Sequence, residues 1–166
     1  MIRAIVHADR EWGIGKNNDM MFSLPKDMKF FRETTSGHTV VMGGKTLRSF
    51  PNQKPLKNRV NIVLTRGQVC DECVVVRSFD ELKQEMKRRE NEEIFVIGGG
   101  EIYKELLSYC HGAFVTKVDA VGGAEVFFPD LDKDERFVCV NESEPVEDNG
   151  YIIRFVTYQN KAVLPL

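Results

Sequence analysis

Residues 94–103 read Ile94-Phe95-Val96-Ile97-Gly98-Gly99-Gly100-Glu101-Ile102-Tyr103. The apolar run predicts a short buried strand, and the pattern after the three glycines predicts the first turns of a helix. Because glycine lacks a Cβ, the backbone at such a turn can approach a ligand closely, and the start of the helix offers free N–H groups to a phosphate. The stretch therefore indicates an α/β fold with a nucleotide cradle. The Rossmann fingerprint is not met, since Tyr103 stands where its last glycine belongs.

Strand-like and helical patterns alternate along the rest of the chain. The predicted strands are Ile2–Ala8, Thr39–Gly43, 61–65, Val74–Val76, 94–97, 113–118, 137–141 and 151–158. The predicted helices are Pro25–Thr35, a short one through Ser49, one capped by Ser78 and one that ends near Tyr109. Residues 9–21 are predicted as a loop. This alternation predicts a single-domain α/β fold whose central sheet is mostly parallel and flanked by helices.

The run Asp148-Asn149-Gly150 is typical of a tight turn, and it predicts a C-terminal antiparallel hairpin between 137–141 and 151–158. In mostly parallel sheets, ligands bind at the carboxyl ends of the strands. We therefore expect three turns to converge on one crevice: those that follow the first strand, Gly43 and Ile97.

Length and composition are those of a globular protein. The chain has 166 residues, 42% of them hydrophobic and 29% charged, which predicts one domain over residues 1–166 with a core of its own. The formal net charge of −2, with both signs mixed throughout, predicts neither a nucleic-acid nor a membrane partner. The first strand has too short an apolar run for a signal peptide, so we expect a cytoplasmic protein, and a monomer.

Cysteines and histidines suggest no metal site. Cys70 and Cys73 have C-x-x-C spacing, but no second such pair completes a zinc site, so we expect reduced thiols. The three histidines are scattered, and we expect each to be a satisfied or solvated side chain: His7, His38 and His111.

One carboxylate lies on the apolar stripe of the helix that begins at Pro25. Leu24, Asp27, Met28 and Phe31 follow the i, i+3, i+4, i+7 spacing of one helical face. Asp27 therefore points where apolar residues point, as a carboxylate in a binding pocket would. A second interpretation stays open at this point, because a first-turn carboxylate can also satisfy free N–H groups and the helix dipole.

Several motifs occur in an order and spacing typical of one family. They are Gly13-Ile14-Gly15 with Asn18, Leu24-Pro25-x-Asp27, Val41-Met42-Gly43-x-Lys45-Thr46, Pro55-Leu56-x-Asn58-Arg59, the glycine turn of 96–103, Thr116 and Phe128-Pro129. By these motifs the chain resembles the bacterial dihydrofolate reductase family over nearly its whole length. The resemblance implies reduction of 7,8-dihydrofolate to tetrahydrofolate, with hydride passing from C4 of the NADPH nicotinamide to C6 of the pterin and a proton reaching N5.

The resemblance also implies the residues that hold the substrate. Asp27 is expected to bind the pterin edge, with Thr116 supporting it and Phe22 forming the apolar wall beside it. Arg59 offers a planar fork to the α-carboxylate of the glutamate tail. The full implied substrate set is Ile5, Asp27, Met28, Phe31, Phe50, Leu56, Arg59 and Ile97. Diaminopyrimidine antifolates are expected on the same wall and the same carboxylate.

For NADPH the implied contacts are His7, Ile14, Gly15, Gly44, Lys45, Thr46, Thr65, Arg66, Ile97, Gly98, Gly99, Gly100, Glu101, Ile102 and Tyr103. Within this set, Lys45, Thr65 and Arg66 are expected at the 2′-phosphate, and His7 is expected to use its backbone. Family members have a cis peptide at the position of Gly98–Gly99. The sequence departs from the family pattern at Gly44, where an arginine often stands, at Glu101, and at Met20-Met21-Phe22, where Met-Pro-Trp is usual.

Two other classes of protein match parts of this sequence. Gly43-Gly44-Lys45-Thr46 resembles the end of a kinase phosphate loop, but that loop requires a glycine at the position of Thr39. A non-catalytic dinucleotide-binding module, with Asp27 as a helix cap, is the other alternative. Loss of Asp27 or Arg59 would favour it, and both residues are present.

Overall fold

The computed structural model describes residues 1–17, 19–68 and 71–166. The strands are β1 (Ile2–Ala8), β2 (Gly13–Gly15), β3 (Thr39–Gly43), β4 (Val60–Leu64), β5 (Val74–Val76), β6 (Ile94–Gly98), β7 (Gly112–Val118), β8 (Val126–Phe127), β9 (Phe137–Glu142), β10 (Val146–Asp148) and β11 (Tyr151–Asn160). The main sheet has the order β10-β11-β7-β1-β6-β3-β4-β5, and β9 also pairs with β11. The pairs from β7 to β5 are all parallel, whereas β11 is antiparallel to β7, β9 and β10.

Four α-helices cover this sheet. They are α1 (Pro25–Thr35), α2 (Gly44–Ser49), α3 (Phe79–Arg88) and α4 (Gly100–Leu106), and short 3₁₀ turns follow at Pro51–Gln53 and Leu107–Tyr109. Ser78 caps α3 as predicted, since its hydroxyl accepts the Glu81 N–H at 3.1 Å. Leu82 and Met86 of α3 are fully buried, which accounts for the apolar spacing of that helix.

The central strands are buried on both faces. Val40, Val41 and Met42 of β3 are fully buried, as are Ile62 and Val63 of β4. Parallel strands covered by helices have this continuous apolar character, and the covering leaves their carboxyl ends as the accessible edge. The predicted α/β class with a mostly parallel sheet and antiparallel C-terminal strands is confirmed.

Element bounds follow the prediction closely, with one clear exception. β1, α1, β3 and β5 have the predicted limits, and β4 begins one residue earlier than predicted. The segment 9–21 is more than a loop, because β2 lies within it and pairs with β8. Asp9 also fixes this segment, since its buried carboxylate accepts the N–H groups of Gly13 at 2.8 Å and Gly122 at 3.0 Å. β2 has only three residues, and its partner β8 is distant in sequence, so no local periodicity indicates this strand.

The predicted hairpin exists, but it joins different strands. Asn149 and Gly150 have φ of 52° and 88°, which suits the two central residues of a type I′ turn. This turn connects β11 to the short β10. β9 pairs instead with the distal half of β11, so the prediction that the turn joins 137–141 to the last strand is wrong.

The same hairpin caps α1 from outside the helix. Asp148 is 2% exposed, and its carboxylate accepts the backbone N–H of Lys26 at 3.0 Å and that of Asp27 at 3.1 Å. The N-cap residue Leu24 has no side-chain oxygen to do this. A carboxylate from β10 therefore satisfies the first N–H groups of α1 and complements the positive end of its dipole.

We expect Asp148→Ala to lower the free energy of unfolding by about 2 kcal/mol, because two helix N–H groups lose a charged acceptor in a buried place. Urea unfolding measures this. The matched control is Asp80→Ala, which removes an exposed first-turn carboxylate from α3 while its Ser78 cap stays in place. Equal losses in the two variants would show that Asp148 contributes only general helix electrostatics.

Candidate active site

The carboxylate of Asp27 is held by side chains. Asp27 is 8% exposed, its Oδ1 accepts the Thr116 hydroxyl at 2.6 Å, and its Oδ2 lies 3.3 Å from His7 Nδ1. Because Asp148 accepts the Asp27 backbone N–H, the carboxylate of Asp27 is free to face the sheet. The interpretation of Asp27 as a helix cap is therefore wrong.

Strand register explains why these three side chains meet. β1 and β7 are neighbouring parallel strands, and His7 lies directly opposite Thr116 in their register. Neighbours at one register position project to the same face of a sheet. The first turn of α1 lies over this face, so Asp27 reaches both partners, one with each oxygen.

His7 differs from its prediction. Its side chain is only 7% exposed, and Nε2 is buried with no hydrogen-bond partner among the described residues. It is thus neither solvated nor fully satisfied. The prediction is correct for the other two histidines, since His38 and His111 are exposed and His111 Nδ1 accepts the Ile2 N–H at 3.0 Å. The sequence signal for His7 was its place two residues after Ile5, on the same face of β1.

An apolar wall adjoins the carboxylate. Phe22 is 8% exposed, and its ring centroid lies 4.8 Å from that of Tyr151 and 6.1 Å from that of His7. Phe31, Phe50 and Leu56, which the resemblance implies as substrate contacts, are partly buried against one cluster that contains Ile5, Val40, Met42, Leu47, Val63 and Phe95. Ile97 is partly buried against the same cluster. Met28 remains 44% exposed, so α1 turns this part of its predicted apolar stripe to the surface.

Tyr103 fixes the end of β1. Its hydroxyl donates to the Ile5 carbonyl at 2.7 Å, and its ring meets that of Phe128 edge to face at 5.0 Å. Burial raises the pKa of Tyr103, which keeps the hydroxyl a neutral donor. Ile5, which the resemblance places in the substrate set, therefore has a carbonyl that already accepts the Tyr103 hydroxyl. The Tyr103 side chain is 4% exposed, and a Cβ on Gly98 would lie 3.3 Å from its ring, so this side chain adjoins the glycine turn.

Two helix starts meet at the glycine turn. Gly98–Gly99 is a cis peptide, as the resemblance implied, and Gly98 has a φ of +123° that favours glycine. A Cβ on Gly99 would find Thr46 Oγ1 at 3.8 Å as its nearest described neighbour, which leaves the turn open above the backbone. Neither α2 nor α4 has a side-chain cap, so their first N–H groups face this opening without such a partner. This arrangement suits an anion.

Basic side chains lie beside the start of α2. A Cβ on Gly44 would lie 2.6 Å from Thr65 Oγ1 and 3.0 Å from Arg48 Nη1, so the guanidinium of Arg48 occupies the space above Gly44. Arg77 Nη1 donates to the Thr65 carbonyl at 2.9 Å and the Gly67 carbonyl at 2.7 Å. Neither Arg48 nor Arg77 is among the site residues predicted from the sequence. Arg48 follows Lys45 by three helical positions, and Arg77 follows the strand that pairs with the end of β4.

The predicted tail-binding cation is held in place. Arg59 Nη1 donates to Thr35 Oγ1 at 3.0 Å, and its Nε donates to the Lys57 carbonyl at 2.9 Å. Burial and the nearby Arg32 both lower the pKa of Arg59. Neither arginine forms an ion pair within residues 1–17, 19–68 and 71–166. An oriented, partly desolvated cation without a counter-ion is suited to bind an anionic ligand.

Comparison with known proteins agrees with this geometry. A family model described as Dihydrofolate reductase matches residues 1–160. The chain belongs to the dihydrofolate reductase family. It is 34% identical over 164 residues to the dihydrofolate reductase of Bacillus subtilis strain 168, covering 97% of this chain and 95% of that protein. It is 35% identical over 150 residues to the dihydrofolate reductase of Haemophilus influenzae, covering 89% and 91%, respectively.

The remaining predicted contacts of this dihydrofolate reductase family member are distributed as follows. Ile14 and Gly15 lie on β2, and Ile14 is partly buried against the main core. Ile102 is buried, whereas Lys45 in the first turn of α2, Glu101 in the first turn of α4, and Arg66 are exposed. Asn18 and Cys70 lie outside the described residues. None of the helices that the structure describes is long and apolar enough to cross a bilayer.

Proposed function

We propose that the chain reduces 7,8-dihydrofolate to 5,6,7,8-tetrahydrofolate with NADPH as the reductant. In this reaction a hydride is transferred to C6 of the pterin, N5 gains one proton, and NADP⁺ is released. Membership of the dihydrofolate reductase family supports this reaction. The observation in this chain that supports it most strongly is the buried Asp27 carboxylate between Thr116 and His7. A decrease in NADPH absorbance that depends on added dihydrofolate tests the proposal.

Asp27 supplies the negative charge of the pocket. An ionised carboxylate only accepts hydrogen bonds, so it suits the amino group and ring N–H of a pterin edge. A positive charge that develops on the ring as N5 is protonated is stabilised by a fixed, desolvated carboxylate. Thr116 donates to Oδ1 and thereby orients the carboxylate, so the charge does not have to reorganise during the reaction.

The two ends of the substrate meet different surfaces. The aminobenzoyl ring is assigned to the slot lined by Phe31, Phe50 and Leu56, where flat aromatic and aliphatic side chains exclude water. The glutamate α-carboxylate is assigned to Arg59, whose guanidinium is already oriented by Thr35 and the Lys57 carbonyl. These two assignments account for apolar side chains that are only partly buried and for a cation that forms no ion pair among the described residues.

The cofactor assignment rests on the fit of the glycine turn at Gly98–Gly99 and of the two helix starts beside it. A nicotinamide dinucleotide supplies the hydride when bound. The first N–H groups of α2 and α4 suit its pyrophosphate, and Lys45, Thr65 and Arg66 are assigned to the 2′-phosphate. Arg48 supports the choice of NADPH, because its guanidinium lies over Gly44, where relatives often have an arginine side chain.

Three further properties follow the family resemblance and are part of this proposal. Diaminopyrimidine antifolates are assigned to Asp27 and the Phe22 wall, because a protonated diaminopyrimidine presents adjacent donors to a carboxylate. The chain is assigned a monomeric state and a cytoplasmic location. Residues 1–166 are taken as one domain.

We expect Asp27→Asn to fold and to bind NADPH, but to lose about 100-fold or more in kcat/KM for dihydrofolate at pH 7, because the amide carries no charge. The loss should shrink as pH falls and solution protonates more of the pterin. Rates from pH 5.5 to 8 with saturating NADPH measure this. Equal kcat/KM for variant and parent at pH 7 would remove Asp27 from the mechanism.

Arg59→Ala should weaken binding of dihydrofolate by about 10-fold or more and leave a pterin without the glutamate tail unaffected, since only the tailed ligand has a carboxylate to lose. Calorimetric titration of both ligands gives the two dissociation constants. Arg32→Ala is the matched control, because it removes a neighbouring positive charge without the fixed fork. Equal weakening of the two ligands by Arg59→Ala would contradict the assignment.

The parent should use NADPH with a higher kcat/KM than NADH, and Arg66→Ala and Arg48→Ala should each reduce that ratio, because a phosphate dianion loses a charge-assisted hydrogen bond. Initial rates with both cofactors give the ratio. Arg88→Ala, an exposed substitution on α3, controls for total charge. A ratio near one in the parent would show that the 2′-phosphate assignment is wrong.

A further inference from the structure

His7 is a basic side chain in contact with the carboxylate of Asp27. Within the described residues, no lysine or arginine comes within ion-pairing distance of Asp27, whereas His7 Nδ1 lies 3.3 Å from Oδ2. The other titratable groups around this pair are Tyr103, which bonds to the Ile5 carbonyl, and Asp148, which bonds to the Asp27 N–H. His7 is therefore the side chain here that can gain a positive charge near neutral pH.

The contact fixes which ring nitrogen carries the proton. An ionised Asp27 offers only acceptors, so the hydrogen bond requires that Nδ1–H donates to Oδ2. Nε2 is then a bare acceptor in neutral His7 and becomes a second donor when the ring is protonated. Thr116 donates to Oδ1 and His7 contacts Oδ2, so each oxygen keeps a further acceptor site, and a ligand that binds Oδ2 shares this oxygen with the imidazole.

We propose that His7 is a positioning residue for Asp27, and that its protonation sets how strongly the carboxylate binds the pterin. The proposal rests on the proposed function, because it assigns Oδ2 to the substrate. Neutral His7 orients Asp27 and leaves its negative charge available. Protonated His7 forms an ion pair with Asp27, and its positive charge repels a protonated pterin and competes for the same oxygen.

Phe22 is the apolar neighbour of the His7–Asp27 pair. A tryptophan, usual at this position in related sequences, carries an indole N–H donor, whereas phenylalanine carries none. The His7 ring lies against Phe22 at a centroid distance of 6.1 Å. His7 thus provides a polar N–H group at the wall where the phenylalanine has none, and this group can change its charge.

The test is the pH dependence of the dissociation constant for dihydrofolate, measured by calorimetry from pH 5.5 to 8. In the parent, the constant should rise as pH falls, by up to about tenfold per pH unit, because a protonated His7 competes with the ligand for Asp27. His7→Asn places an amide N–H near the position of Nδ1 but cannot become charged, so its curve should be flatter. The two proteins differ only at residue 7, so the difference between the two curves reports the contribution of the imidazole.

Two more variants separate positioning from simple packing. His7→Ala removes the donor and should weaken binding by about tenfold at pH 8. His7→Asn should regain most of that loss, whereas His7→Gln, whose amide reaches the position of Nε2, should not. Thermal unfolding checks that all three variants fold.

Parent and His7→Asn curves of the same shape, or equal rescue by asparagine and glutamine, would overturn the inference. Turnover measured in parallel distinguishes this result from a failure of the proposed function. An active parent without the predicted binding pattern contradicts only the role of His7. The predicted pattern in a protein that does not reduce dihydrofolate contradicts only the proposed reaction.

Discussion

The buried carboxylate of Asp27 is the constraint on which the site depends. A carboxyl group that is 8% exposed is tolerated in a protein only where hydrogen bonds replace its water. Thr116 from β7 and His7 from β1 provide these contacts, and they do so because they lie opposite each other in the strand register. A shift of one residue in that pairing would move one of the two partners to the other face of the sheet. The contacts that stabilise the Asp27 carboxylate in the pocket therefore depend on the register between β1 and β7.

Asp148 makes this arrangement possible from the other end of the chain. An Asp in the first turn of a helix would ordinarily favour the helix N–H groups. Here the carboxylate of Asp148 already accepts the N–H groups of Lys26 and Asp27, so Asp27 keeps its side chain for the pocket. The C-terminal hairpin therefore serves the active site, although it contributes no side chain that was predicted to touch a ligand.

Periodicity and turn chemistry predicted what local sequence controls. The limits of α1 and β3 follow from their apolar spacing and flanking residues, and Asn149-Gly150 identified a type I′ turn. Contacts between distant segments were beyond that reasoning. The β2–β8 pairing, the Asp148 cap and the His7–Asp27 contact each join residues that local patterns treat separately. The predicted binding roles came from the family resemblance, which gave His7 a backbone contact with NADPH and no role for its side chain.

The departures from the family motifs make sense as pairs. Gly44 stands where the family often has an arginine. The side chains of Thr65 and Arg48 occupy the space above Gly44, so a positive charge lies near this position from one helical turn further along α2. Phe22 lacks an indole N–H, and the neighbouring His7 provides a ring N–H. In both pairs a chemical property is kept while the residue that carries it moves to an adjacent position. A binding site constrains charge and donors at a place in space, and more than one residue can satisfy such a constraint.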